Sequence, residues 1–303
     1  MPAAVNPSPR QIDERAVHRA MRRMASLSER PWLNREVALR MAERLTLFRA
    51  TPKAIVDWGS FLGAGSDLLS KAYPDSVVQA IEPTDALASR SAAAGQAPWW
   101  TARHWTRRAA TVMRPEQVAP SSADLLWSNM SLHAQVEPPE VMAQWNRCLA
   151  PGGYAMFSCL GPDTVKELSA LYRGLGWPTP TVLFTDMHDL GDMLLAAGFE
   201  DPVMDQEALS IQWSSGFALC EDLRRIGANV DLRRFPGLRT PRWRATLMDA
   251  LEQMRQQDGS IGLTFEIIYG HGFKRIAPRA DAELTAVSLE DMRRMVRRRH
   301  RDE

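Results

Sequence analysis

Three residues around the first strongly apolar run could do chemistry together. Asp57, Gly59 and Gly63 lie in Ile55-Val56-Asp57-Trp58-Gly59-Ser60-Phe61-Leu62-Gly63. A glycine turn leaving a strand lets a ligand approach the backbone, because glycine brings no Cβ and reaches conformations other residues avoid. Further on, Glu82 follows a second apolar run, Val77-Val-Gln-Ala-Ile81. A carboxylate there is placed to accept hydrogen bonds from both hydroxyls of a ribose. Acid, turn and second acid together suggest a cofactor carrying an adenosyl group. On the turn alone, a tight bend without a ligand is the plain alternative.

Other reactive side chains are more scattered. Cys148, Cys159 and Cys220 are the three cysteines, none in a Cys-x-x-Cys pair. That argues against a disulfide scaffold or cysteine-rich zinc site and fits a reducing cytoplasm. His188 and His271 are too isolated to argue for a metal, and none is expected. Asp186, and Asp163 with Thr164, read as helix caps. Trp99, Trp100 and Trp105 alternate with Arg103, Arg107 and Arg108, a pattern that could stack on single-stranded nucleic acid. The net charge of +1 gives that no support, so no nucleic-acid partner is expected. No apolar run reaches the roughly 20 residues a membrane span needs, so no membrane partner is expected either. The N-terminus lacks the apolar core of a secretion signal.

These residues need elements to hold them. The 303 residues are 45% hydrophobic and 24% charged, which excludes a disordered or collagen-like chain. From Ile12 to Arg49 the spacing is helical, broken at Pro31. Strands are expected at Ala54–Trp58, Val77–Ile81, Leu125–Trp127 and Tyr154–Phe157, with helices at Ser66–Ala72, Asp85–Ala94 and Val141–Leu149 between them. That alternation implies a parallel sheet with crossover helices. Residues 95–122 give no clear pattern. Helices resume at Val165–Leu175 and His188–Ala197. Two late strands, Ala208–Trp213 and Leu263–Tyr269, flank an Arg-rich helical insert at 214–258. No internal repeat is present.

The chemistry-bearing residues resemble the class I S-adenosylmethionine (SAM) methyltransferases. The first motif of that family reads hydrophobic-Asp-x-Gly-x-Gly-x-Gly. Asp57, Gly59 and Gly63 stand in register, Phe61 replaces the middle glycine, and Gly65 offers a shifted turn. The likeness continues at Glu82, in Ala123-Asp-Leu-Leu-Trp-Ser-Asn129 and in Leu149-Ala-Pro-Gly-Gly153. A narrower likeness, to the malonyl-acyl-carrier-protein O-methyltransferases of biotin synthesis, covers about 12–275. It is most specific at Phe157–Leu168, Thr185–Asp192, Ala197–Asp205, Asp222–Ala228 and Phe265–His271. Besides Phe61, the chain departs from that family in His18–Met24, which has no Tyr, and in His133-Ala134, where Gln-Trp is usual.

The resemblance implies a Rossmann-like α/β fold: a seven-stranded, mostly parallel sheet with helices on both faces. An N-terminal helical cap would occupy 1–52, the SAM-methyltransferase-like domain 53–275 with 214–258 as its helical lid, and a charged tail 276–303. It implies SAM as cofactor, held by Asp57, Gly59, Phe61, Gly63, Glu82 and Asn129. Asp57 would order the turn through backbone N–H groups, and the Phe61 ring could obstruct the cofactor's path. The implied reaction esterifies the free carboxyl of malonyl-acyl carrier protein, by a cytoplasmic monomer. A malonyl carboxylate is ionised at neutral pH, so no strong base is needed, only a cation to hold it. Arg224, Arg225, Arg233 and Arg234 are the candidates, and the insert could also dock an acidic carrier. His133 could donate to a substrate oxygen, giving His133, Arg224 and Arg225 as the catalytic set. The alternative is a methyltransferase fold with altered or lost catalysis, acting as a binding or assembly factor.

Overall fold

Ile55, Val56, Asp57 and Trp58 are all buried in β1 (Ala54–Trp58) because this strand is covered on both faces and flanked on both edges. Its parallel neighbours are β2 (Val77–Ile81) and β4 (Ala123–Ser128). The computed structural model describes residues 11–95 and 111–276. β3 (Thr111–Met113) extends the sheet beyond β2, and β5 (Leu149–Leu160) extends it beyond β4. The long strands β6 (Phe199–Trp213) and β7 (Ile261–Lys274) complete the order β3-β2-β1-β4-β5-β7-β6. β7 runs antiparallel to both its neighbours.

Side-chain alternation along the strands divides the apolar interior into two layers. Ile55, Leu125, Trp127, Tyr154 and Met156 face one layer; Val56, Leu126, Ala155 and Phe157 face the other. The first layer is covered by α1 (Glu14–Ala25), α2 (Trp32–Arg44), α4 (Ser66–Ala72) and α7 (Lys166–Gly174). The second is covered by α6 (Pro138–Cys148) and α8 (Met187–Ala196), which bury Trp145 and Leu194 completely. Burying an aliphatic or Phe side chain of this size contributes about 1.5–3 kcal/mol each. A four-residue helix, α3 (Ser60–Gly63), follows β1, and α5 (Asp85–Gly95) follows β2.

Between β6 and β7 the chain forms α9 (Gly216–Ile226) and α10 (Pro241–Gln253). The segment joining them is stitched to the N-terminus. Ile12 and Asp231 form an antiparallel bridge, the Asp13 N–H donates to Val230 O, and Leu232 N–H donates to Gln11 O. Arg234 closes the seam on the Asp13 carboxylate.

Several expectations need correction. β6 begins at Phe199, well before Ala208. Thr111–Met113 supplies a strand in the stretch that gave no pattern, and the residues after Gly59 form a helical turn. Asp163 and Thr164 do not cap α7, whose N-cap is Val165 at φ +50°. Asp163 instead donates its N–H to Glu266 and accepts from Lys166, while the Thr164 hydroxyl donates to Glu266 O. Asp186 does cap α8, accepting from the His188 N–H. The tryptophan–arginine stretch at 99–108 and the tail after residue 276 lie outside the described residues.

Candidate functional site

Strand order reverses beside β1: the chain adds β2 and β3 on one side of it, then crosses to add β4 and β5 on the other. In open α/β sheets such a point opens a crevice at the carboxyl ends of the strands. A cavity of about 430 Å³ lies there, walled by Gly59 after β1, Glu82 after β2 and Asn129 after β4. Its size is within the range of small-molecule sites.

Gly59 makes the turn in the left-handed region, φ +72°, where a side chain would be strained. Its N–H donates to Ile81 O, and its carbonyl accepts from Gly63 to start α3. Asp57 is fully buried below this turn. Its Oδ2 accepts from the Ser60 hydroxyl at 2.6 Å and the Ser66 hydroxyl at 2.9 Å. It therefore ties α3 to α4 through hydroxyls rather than through the expected backbone N–H groups. Burial pushes its carboxyl up to about 6.

Glu82 lines the cavity and is fully buried. Oε1 accepts from the Phe61 N–H at 2.6 Å and from the Ser91 hydroxyl at 2.5 Å. Oε2 is buried and has no hydrogen-bond partner among the described residues. Burial, with a smaller repulsion from Asp57, pushes this carboxyl up to about 7. A buried acceptor without a donor carries a penalty of about 1–3 kcal/mol, more if charged, which a ligand hydroxyl would relieve.

The Phe61 ring lies outside the cavity wall. It packs with Ala25 and Leu87 and is flanked by the guanidinium groups of Arg30 at 5.3 Å and Arg90 at 4.6 Å. Arg90 also donates to the carbonyls of Ala25 and Leu27 just beyond α1. The expected obstruction does not arise: only the Phe61 backbone faces Glu82, and the ring anchors the end of α1.

At the end of β4, the Asn129 amide donates to Asn34 O and Gly63 O, both at 2.7 Å, and its oxygen accepts from the Ser158 hydroxyl. The side chain is fully engaged in joining α2, α3 and β5. Gly63 serves the same joint, since a Cβ there would meet Asn129 O at 3.3 Å. The next residue, Met130, has φ +53°, as Val165 has φ +50°. Both line the cavity. Such conformations are rare for residues with a Cβ and concentrate around functional sites.

The rest of the wall is mostly apolar, including Val17, Met21, Val182, Phe184 and Phe265. His133 lies in it, edge-on to Phe184 at 5.9 Å. Of the four expected insert arginines, only Arg224 lines the cavity. Arg225 turns to solvent and pairs with Glu221, Arg233 pairs with Asp231, and Arg234 pairs with Asp13. A cation the sequence did not single out joins Arg224: Arg23, from α1. It donates to Gly227 O, and burial together with the nearby Arg224 charge holds its guanidinium below the ordinary range. Arg23 sits among several arginines of one helix, and only the tertiary fold brings it beside a residue some 200 positions away.

The "Methyltransferase domain" family profile matches residues 30–202. A malonyl-[acyl-carrier protein] O-methyltransferase of Gallionella capsiferriformans is 34% identical over 281 residues, covering 91% of this chain and 96% of the relative. One of the same description from Laribacter hongkongensis is 36% identical over 252 residues, covering 81% and 84%. Among solved structures, the YcgJ protein from Bacillus subtilis superposes with a TM-score of 0.55 at 13% identity, covering 80% of this chain and 99% of its own. At that identity the likeness shows the fold, the Rossmann-like α/β fold of class I methyltransferases.

Proposed function

Since the chain belongs to the methyltransferase-domain family and, within it, to that of the malonyl-[acyl-carrier protein] O-methyltransferases, we propose that it methylates the free carboxyl of a malonyl group carried on acyl carrier protein, in biotin synthesis. The observation that carries this reading is the division of charge around one apolar cavity. A carboxylate oxygen without a donor stands at the β2 end, and two arginines stand together where α1 meets the insert. The first suits ribose hydroxyls of SAM; the second suits a substrate carboxylate.

Glu82 would hold SAM through Oε2, with Gly59 allowing close approach of the backbone. Asp57 and Asn129 act as positioning residues, fixing α3 and the β4 turn around that site. When bound, SAM supplies an electrophilic methyl group on a sulfonium sulfur. The malonyl carboxylate is already a nucleophile, so the protein need remove no proton. Arg23 and Arg224 would hold one carboxylate oxygen and leave the other free to face the methyl donor. His133 donates to a substrate oxygen. The apolar wall excludes water, which strengthens these contacts and prevents competing solvation. Alignment of this kind can supply about 7–11 kcal/mol of a barrier.

The test is to incubate the full chain with SAM and malonyl-acyl carrier protein and follow the malonyl group by mass spectrometry. Methyl ester formation that falls with Glu82→Gln and with Arg23→Ala supports the reading. Folded, SAM-binding protein that forms no ester rejects it in favour of a binding or assembly role.

A further inference from the structure

A second cavity, about 740 Å³, opens between α7, α9 and α10. It shares Leu168, Leu223 and Arg224 with the cavity at the strand ends, so the two adjoin through a common wall. Resting on the reading above, we propose that this second cavity binds the carrier's prosthetic arm, with Arg239 and Arg244 gripping its phosphodiester.

The arginines of this region fall into two groups. Arg225, Arg233, Arg234 and Arg255 each pair with a carboxylate. Arg224, Arg239 and Arg244, which line the second cavity, have no carboxylate partner among the described residues. Two of them are held by rings instead. Arg239 stacks on Phe235 and Trp243, at 4.1 and 4.5 Å, and Arg244 lies over Phe217 at 5.7 Å. Stacking fixes the guanidinium plane and leaves its N–H edge available for a bidentate acceptor. Trp243 adds a buried indole N–H with no partner. An indole only donates, so this group also calls for an acceptor. The first turn of α10, at Thr240 and Pro241, forms part of the same wall, and a helix N-terminus favours an anion. Four features thus ask for oxyanion oxygens in a cavity whose wall is otherwise mostly apolar, with Tyr172, Leu247 and Met248 among its residues; the one carboxylate in that wall, Glu221, is paired with Arg225.

An acyl carrier presents its acyl group on a thioester at the end of a long, flexible arm rooted in a phosphodiester. Cations in the second cavity and a carboxylate-binding pair in the first fit the two ends of such a substrate. Arg224 stands at the junction.

Calorimetric titration of the full chain with free 4′-phosphopantetheine and with pantetheine, which lacks the phosphate, tests this directly. The phosphorylated arm should bind at least about tenfold more tightly, the advantage of a charge-assisted contact. Arg239→Gln and Arg244→Gln should each erode that preference, and the double substitution should abolish it with the thermal unfolding transition intact. Arg242→Gln, whose side chain lies outside both walls, should leave the preference in place. Equal affinity for the two compounds in the unaltered protein, binding of neither, or a preference surviving loss of both arginines would overturn the proposal. So would inorganic phosphate binding as tightly as the phosphorylated arm. The titration needs no methyl transfer. A preserved phosphate preference without ester formation would reject the catalytic reading while keeping this site.

Discussion

Replacing Glu82 by glutamine should flatten the pH dependence of stability by a predictable amount. Burial raises this carboxyl from 4.5 to about 7 in the folded protein. A raised carboxyl favours the folded state when protonated. Its contribution is fully present below about pH 4.5 and is lost as pH rises through about 7. Between about pH 5 and 8 the loss amounts to about 2.5 kcal/mol. Glutamine keeps an acceptor for the Phe61 N–H and the Ser91 hydroxyl but cannot ionise, so this loss disappears. Asp57, raised to about 6, acts in the same direction and is present in both proteins, so only its smaller repulsion with Glu82 enters the difference. Urea unfolding of both proteins across this range measures the difference. The unaltered protein should lose about 2–3 kcal/mol more than Glu82→Gln on going to alkaline pH. Parallel profiles would refute the argument that Oε2 is buried without a donor.

Phe61→Gly should weaken the fold by at least the ~3 kcal/mol typical of removing a buried phenylalanine, without tightening SAM binding by calorimetry, because the ring packs against Arg90 rather than in the cavity. Asn129→Ala removes three buried hydrogen bonds that join α2, α3 and β5; chemical denaturation should show a loss of about 2–4 kcal/mol. Gly65→Ala would place a Cβ 2.4 Å from the indole nitrogen of fully buried Trp127, and should cost about 1–3 kcal/mol. Gly174→Ala, where a Cβ meets nothing, should be neutral or slightly stabilising in the same assay. Arg23→Ala should raise the KM for malonyl-acyl carrier protein about tenfold in steady-state kinetics, as loss of a charge-assisted contact to the substrate carboxylate.

The central strands were legible because β1 and β4 are buried on both faces and so read as short apolar runs, and the Asp57–Gly59–Glu82 spacing marked the cavity end. β3 escaped notice because Thr111–Met113 is three residues long and carries too few side chains to show a period. Most of β6 was hidden for another reason. It is an edge strand that carries polar residues such as Asp205 and Glu207, which pair with Arg44 and Arg40 of α2, and Pro202 interrupts its start. The α3 turn reads as a loop because glycines bracket it, yet Asp57 holds it in place through two serines. The substrate-facing cations were legible only in part. Residue type pointed to the insert, but partner choice separated Arg224 from Arg225, Arg233 and Arg234. Arg23 could be found only by folding α1 against the insert, a contact between segments far apart in the chain.

The most direct measurement of the central claim is mass spectrometry of malonyl-acyl carrier protein after incubation with the full chain and SAM. The account predicts that the malonyl group gains one methylene unit in mass. Succinyl, longer by one methylene, should react more slowly, since Arg23 and Arg224 fix where the carboxylate sits. An unchanged malonyl group, from folded protein that binds SAM, would contradict it.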